Sequence, residues 1–174
     1  MAVPLVSRRA AFAALAGACA WPALARADAA AGAAQRFRAI EVDVGPAREL
    51  GAGVLAEWIA HDLPAFLRQS FAAHLAPGDR NAAILRARID SVTLGAPNTA
   101  NFGLFGGGGD DTIDYIEGAG VVVGAAGREI ASYPLLCSLR ASTRITDPEG
   151  VIARQRVSNL AQSFAQWLPG KMGL

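Results

Sequence analysis

The stretch that decides the fold class is LGAGVLAEWIAHDLPAFLRQSFAAHL, residues 50–75. Its apolar residues recur every three or four positions over about seven turns, which is the spacing of an amphipathic helix. They are Leu50, Val54, Leu55, Trp58, Ile59, Leu63, Phe66, Leu67, Phe71 and Leu75. Pro64 falls inside this run, and a proline removes one helical hydrogen bond. We therefore expect a kink or a tight restart at Pro64, with both halves on one core and an end at Pro77-Gly78.

Four segments around this helix alternate apolar and polar residues, the pattern of a strand with one face in the core. They are RFRAIEVDVGP (36–46), AILRARIDSVTL (83–94), TIDYIEGAGVVV (112–123) and REIASYPLLCSLRASTRI (128–145). Arg86 and Arg88 in the second segment, and Arg140 and Arg144 in the fourth, lie on the outer face. These arginines are either ordinary solvent-facing positions or partner contacts. Pro134 indicates a bulge or an edge strand.

The end of the chain contains a turn and a last helix. Residues 147–150, Asp-Pro-Glu-Gly, have the composition of a tight turn, which predicts a hairpin into a fifth strand over VIARQRV, residues 151–157. Ser158 or Asn159 then caps a short helix that ends at residues 169–170. The order β-α-β-β-β-β-α predicts an α+β fold over residues 36–174. We expect a single domain with an antiparallel or mixed sheet, and the long kinked helix and the short C-terminal helix packed on one face.

Residues 1–27 are predicted to be an export signal, because Arg8 and Arg9 precede an apolar stretch and small residues follow it. The arginine pair favours the twin-arginine route. Ala11, however, stands where those signals usually have a bulky residue, so the general secretory route stays open. Residues 28–35 are predicted to be a linker.

Cys19 follows Ala16-Gly17-Ala18, which resembles a weak lipobox. Cys19 is therefore either a lipidation site or a small residue in a signal that is removed. Membrane association is expected only if Cys19 is lipidated. In both cases we predict a periplasmic protein, soluble or lipid-anchored.

The charge of the chain argues against nucleic acid as a partner. Sixteen basic and fifteen acidic residues give a formal net charge of +1. Removal of residues 1–27 takes away three arginines and no acid, which leaves about −2. No basic run of the kind that neutralises a phosphate backbone is present.

Catalytic and metal-binding patterns are weak. Cys137 is the only thiol after the signal, and its place in an alternating strand predicts a buried, inert side chain. His61 and His74 are thirteen residues apart on one predicted helix, about 220° around its axis, so they do not serve one site easily. We predict no catalytic residue, no cofactor and no metal site, and hence a non-enzymatic protein.

Residues 96–111 are predicted to be a mobile loop, because their apolar residues follow neither the spacing of a helix nor the alternation of a strand. Gly106–Gly109 is followed by two aspartates, which oppose a phosphate-binding role. The acids of this region, Asp110, Asp111, Asp114 and Glu117, lack the spacing of a calcium loop.

Three apolar residues in this loop, Phe102, Leu104 and Phe105, are our candidate contacts for a partner. The alternative is that they fold back and cover one end of the core.

The layout of the chain resembles that of the small periplasmic auxiliary lipoproteins of lipopolysaccharide assembly and membrane-integrity transport at the outer membrane. The phrases that carry the resemblance are LRARIDSVTL (85–94) and DPEGVIARQRV (147–157). In that group the domain is a non-enzymatic plug, scaffold or coupling subunit. The resemblance therefore implies a cell-envelope module that docks to an envelope protein or a lipid-bearing ligand. A soluble small-ligand-binding domain and a small exported enzyme are the alternatives, and the oligomeric state is left open.

Overall fold

The computed structural model describes residues 35–95, 111–142 and 150–174. The strands are β1 (Phe37–Asp43), β2 (Ala83–Thr93), β3 (Asp111–Val123) and β4 (Glu129–Ser142). The helices are α1 (Gly45–Glu49), α2 (Gly53–Ser70) and α3 (Val151–Met172), with a 3₁₀ turn at Ala72–His74. The predicted α+β class is confirmed.

The four strands form one mixed sheet in the order β1-β2-β3-β4. β1 and β2 are parallel, because α1 and α2 carry the chain back across the sheet between them. β2, β3 and β4 follow as antiparallel neighbours. A tight turn joins the last two: Gly127 has φ +74°, and its N–H donates to the carbonyl of Gly124 at 2.9 Å.

The helices pack on one face of the sheet and bury alternate residues of its strands. α2 and α3 lie against each other, and α3 packs on β3 and β4. Leu85 and Ile89 of β2 and Ile116 of β3 are fully buried there. α3 comes close because Gly120 has no side chain: a Cβ at this position would lie 2.7 Å from Leu168 Cδ1. The core therefore lies between the two long helices and the sheet.

The long helix differs from its prediction at both ends: it ends at Ser70, before the 3₁₀ turn, and not at Pro77-Gly78. Gly51, with φ +88°, separates α1 from α2, so the helix begins at Gly53. Leu50 and Val54 are consequently exposed, although the periodicity placed them in the core. α2 continues through Pro64 in one piece. The predicted restart of the helix at Pro64 is therefore wrong, and the predicted kink at this residue stays a prediction.

The predicted fifth strand is wrong, because residues 151–157 are the first two turns of α3. The physical reason is that the helical spacing of Val157, Leu160 and Phe164, all buried, extends backward through this segment. Its alanine, arginines and glutamine also favour a helix. The C-terminal helix is not short: it has 22 residues and runs through Pro169 to Met172.

Candidate functional site

The face of the sheet that points away from the helices, called the open face here, is formed by the other alternate residues of the strands. On β3 and β4 these residues are Ile113, Tyr115, Glu117, Ala119, Val121, Val123, Ser132, Pro134, Leu136, Ser138 and Arg140. Its buried part is a small cluster of strand residues, in which Ile84 packs against Ala119, Val121 and Val123. The predicted outward placement of Arg86, Arg88 and Arg140 is confirmed by this register.

One end of the open face carries large apolar side chains in contact with water. Ile113, Tyr115 and Leu136 are 41%, 39% and 59% exposed. We call these three residues the apolar patch. Their cross-strand neighbours are Arg140, Ser138 and Glu117, respectively. Aromatic and aliphatic groups with a polar surround are typical of the centre and rim of a binding surface.

The other end of the open face carries ion pairs. Arg86 Nη2 lies 2.9 Å from Glu41 Oε2, and Arg88 Nε lies 2.8 Å from Asp90 Oδ1. The hydrogen bond to Asp90 and the charge of that carboxylate raise the pKa of Arg88. These arginines are therefore already paired, and they make a polar border for the apolar patch. A cavity of about 270 Å³ lies between the two ends and is lined in part by Arg88, Glu117, Pro134 and Leu136.

A buried ion pair lies on the opposite, helix-covered face. Arg156 of α3 donates from Nε to Asp114 Oδ2 at 2.9 Å, and its Nη2 also contacts Asp114 Oδ1. Asp114 is 1% exposed and accepts a further bond from the N–H of Gly95 at 3.0 Å. Arg156 Nη2 donates to the carbonyl of Gly95 at 2.9 Å. The pair therefore joins α3, β3 and the end of the segment that follows β2.

Sequence reasoning missed this pair, and it placed Asp114 in a group of acids with Glu117. The structure separates the two, because Asp114 lies under α3 whereas Glu117 lies on the open face. Within the described ranges, no group of three or more His, Cys, Asp or Glu residues is arranged to hold a metal ion. The alternation of β3 places Asp114 on the same face as the buried Ile116, which indicates that this carboxylate needs a partner but does not identify Arg156.

Cys137 lies in the core, as predicted, with its side chain fully buried. Burial raises the pKa of the Cys137 thiol to about 11. The thiolate is the nucleophilic form of cysteine, so this side chain is unreactive near neutral pH. The histidines lie apart from it: His61 Nδ1 is 2.7 Å from Asp62 Oδ1, and His74 Nδ1 is 3.2 Å from the carbonyl oxygen of Gln35.

A second cavity lies at the junction of α1 and α2 with the end of β2. Its volume is about 330 Å³, and its walls combine apolar side chains with the polar residues Ser91 and Thr93. They include Ala47, Leu50, Ala52, Leu55 and Val92. This volume is at the lower limit of the range of small-molecule sites.

Several predicted features lie outside the described residues. They are the export signal 1–27, almost all of the linker 28–35, the candidate lipidation site Cys19, residues 96–110 of the predicted loop with the candidate contacts Phe102, Leu104 and Phe105, Arg144, and residues 147–149 of the predicted turn. These stay predictions. Of the helices that the structure describes, none is both long and apolar enough to cross a membrane.

Comparison with known proteins gives a distant likeness in structure. No family model and no curated protein matches the chain. The crystal structure of the rare lipoprotein B from Shewanella oneidensis is similar over 77% of this chain and 92% of that chain, with 16% identity and a TM-score of 0.36.

Proposed function

We propose that this protein is a non-enzymatic, periplasmic module of the cell envelope that docks a protein partner or a lipid-bearing ligand. The observation that carries the proposal is the apolar patch, Ile113, Tyr115 and Leu136, on the open face of the sheet. Exposed apolar groups side by side cost free energy in water, and burial against a partner recovers it.

The charges of the open face favour a partner that is not strongly charged. Arg86 and Arg88 are paired with Glu41 and Asp90, so a partner does not have to supply a counter-charge. The polar border then sets the orientation of the partner while the patch supplies most of the binding free energy.

The envelope location rests on residues 1–27 and on the resemblance to auxiliary envelope lipoproteins. Intact-mass measurement of the protein from separated membrane and periplasmic fractions tests it. A lipidated chain that begins at Cys19 in the membrane fraction supports an anchored module, and a bare chain that begins near Asp28 in the periplasm supports a soluble one. A full-length chain that stays in the cytoplasm contradicts both.

The docking role is tested by photo-crosslinking in the cells that make the protein. A photoreactive amino acid is placed at Leu136, and in a matched control at Val54, which has nearly the same exposure (59% and 57%) but lies on α2. We expect a discrete crosslinked species from position 136 only, and we expect Tyr115→Asp to abolish it. Equal crosslinking from both positions, or crosslinking unaffected by Tyr115→Asp, argues against the open face.

A small-ligand-binding function is the second candidate, and the cavity of about 330 Å³ at the junction of α1 and α2 favours it. Native mass spectrometry of the purified protein tests it. A co-purified molecule that is lost in Ala52→Trp, which fills the cavity, but kept in Leu136→Asp supports this function. No added mass, or a mass that both variants keep, contradicts it.

A third candidate, a small enzyme that uses Cys137, requires an accessible thiolate. Thiol labelling of the native protein at neutral pH tests this requirement. We expect labelling only after denaturation, because the side chain is buried and its pKa is raised. Rapid labelling of the native protein would restore the enzymatic candidate.

A further inference from the structure

A cleft opens to solvent between the two long helices. Its volume is about 160 Å³, and it is lined by Phe66, Gln69 and Ser70 of α2 and by Gln162 and Gln166 of α3. In a helix, residues three or four positions apart lie on the same face. The spacing of these residues therefore places three side chains on one wall of the cleft and two on the other.

The two ends of the groove between these helices differ. At one end, Arg154 Nη2 of α3 donates to Asp62 Oδ1 of α2 at 2.9 Å, and the guanidinium lies 5.5 Å from the centre of the Trp58 ring. These contacts close the groove. The cleft lies about one to three turns further along the helices, where the walls present amide and hydroxyl groups in place of an ion pair. This end of the groove is therefore open to a ligand.

The cleft is rich in glutamine. The chain has five glutamines, and three of them line this cleft, all of them exposed. Other exposed positions of α2 carry charges, as at Glu57 and Arg68, whereas the side chains that line the cleft carry none. The cleft therefore offers hydrogen bonds without attracting ions of either sign.

The amide side chains match the chemistry of sugars. A glutamine amide has two N–H donors and a carbonyl acceptor, and a hydroxyl group likewise donates and accepts. An anionic ligand uses only the donors of an amide, a cationic ligand uses only its acceptor, and each is bound more strongly by an opposite charge. A ligand with several neutral hydroxyls uses both. Ser70 adds a further hydroxyl to the cleft.

Phe66 supplies the apolar contact that a sugar ring also needs. Its side chain is partly buried against the core and lines the cleft. One side of a pyranose ring carries C–H groups, which leave water when they pack on an aromatic ring. The cavity has room for roughly five water molecules at about 30 Å³ each, which is the room that one pyranose ring needs.

We propose that this cleft binds one ring of an uncharged saccharide. Phe66 packs against the C–H groups of the ring, and the glutamine amides of both helices bind its hydroxyls. A site with so few contacts gives a single ring a dissociation constant in the millimolar range. A chain of sugars that continues along the groove makes more contacts and so binds more tightly.

The proposal goes beyond the docking function and is independent of it. The glutamines lie on the helices, whereas the apolar patch lies on the face of the sheet that points away from them. Photo-crosslinking from Leu136 therefore tests docking, and saccharide binding tests the cleft. Each proposal can fail alone.

NMR titration of the purified, isotope-labelled protein tests the site with small probes. The probes are the methyl glycosides of glucose, galactose, mannose and N-acetylglucosamine, with glucuronate and glucosamine as charged counterparts. We expect the side-chain amide signals of Gln69, Gln162 and Gln166 to shift with a neutral glycoside. The signal of Gln155 is the internal control, because its amide donates to Asn159 Oδ1 at 2.9 Å outside the cleft, and it should not move.

A matched pair of variants on α3 gives the affinity test. Gln162→Ala should raise the dissociation constant of the bound glycoside at least about fivefold, because it removes hydrogen bonds to the ring. Gln155→Ala, at another exposed glutamine of the same helix, should leave it unchanged. Gln162→Glu keeps the shape of the side chain and loses its donors, so it should weaken the neutral glycoside and favour glucosamine. Thermal unfolding checks that all three variants are folded.

Two further probes identify the source and the class of the ligand. Tighter binding of a trisaccharide than of the methyl glycoside of the same sugar indicates a glycan chain, and equal binding indicates a free monosaccharide. N-acetylalaninamide tests whether the cleft takes any peptide-like amide. Amide signals that no neutral glycoside moves, tighter binding of glucuronate or glucosamine by the natural protein, equal shifts with N-acetylalaninamide, or an affinity that Gln162→Ala leaves unchanged would overturn the proposal.

Discussion

The two faces of the sheet are made by the same strands and have opposite character. On β3, Ile116 lies under the helices and is fully buried, whereas Tyr115 and Glu117, one residue away on either side, lie on the open face and are exposed. On β4 the same contrast separates Cys137 from Leu136. Because side chains alternate along a strand, one strand supplies both a core surface and a surface for recognition.

This contrast indicates where free energy of folding comes from in this protein. The helix face removes apolar side chains from water and includes a buried ion pair, Asp114–Arg156. The open face has its ion pairs in contact with solvent and leaves Leu136 exposed. We therefore expect substitutions on the helix face to change stability, and substitutions on the open face to change binding.

The largest expected effect is in the core. Phe164→Ala removes a fully buried ring of α3 and should lower the free energy of unfolding by about 3–5 kcal/mol. Leu136→Ala, on the open face, should change it by no more than about 0.5 kcal/mol. Urea denaturation measures both. Similar losses from the two variants would mean that the open face is part of the core.

Loss of the buried ion pair should lower the free energy of unfolding almost as much as Phe164→Ala does. Asp114→Ala leaves the guanidinium of Arg156 without its carboxylate partner under α3, which typically costs about 3–5 kcal/mol. Glu41→Ala breaks the exposed pair with Arg86, where both side chains are more than 40% exposed, and should cost at most about 1 kcal/mol.

Denaturation of the two variants at low and high salt sharpens this comparison. Salt should weaken the contribution of Glu41 and leave that of Asp114 almost unchanged, since exposed pairs are screened and buried pairs much less so. Equal salt sensitivity would contradict the difference between the faces.

The strands and their faces could be predicted from the sequence because alternation is a local property. The same reasoning failed at residues 151–157. The turn composition of residues 147–150 predicts a hairpin, but the helical spacing that leads backward from Val157 decides the structure there. Leu50 and Val54 were misplaced for a related reason, because Gly51 breaks the helix before the periodic pattern does.

The Asp114–Arg156 pair could not be predicted, since its members are 42 residues apart and meet only when α3 packs on β3. The apolar patch also depends on tertiary structure: Ile113 and Leu136 lie on neighbouring strands, and only their register brings them to one end of the open face. Local patterns therefore predict which side chains share a face, and packing decides which faces are covered.

The smallest expected effect is a pH dependence on the helix face. Burial raises the pKa of Cys137 from its ordinary value of 9.0 to about 11. Below pH 9 the thiol is protonated in both states and does not affect stability. Between pH 9 and 11 the unfolded chain releases this proton while the folded chain keeps it, so stability falls as pH rises, by roughly 2 kcal/mol in total.

A pair of variants isolates this contribution from other groups that titrate at high pH. The difference in free energy of unfolding between the natural protein and Cys137→Ala should shrink as pH rises from 9 to 11. Ser138→Cys in the Cys137→Ala background moves the thiol one residue along β4 to the open face, where water solvates the thiolate. The stability of this variant should therefore not show the thiol-dependent fall between pH 9 and 11. A decline of equal size in both would mean that the two faces of β4 do not differ in their exposure to water.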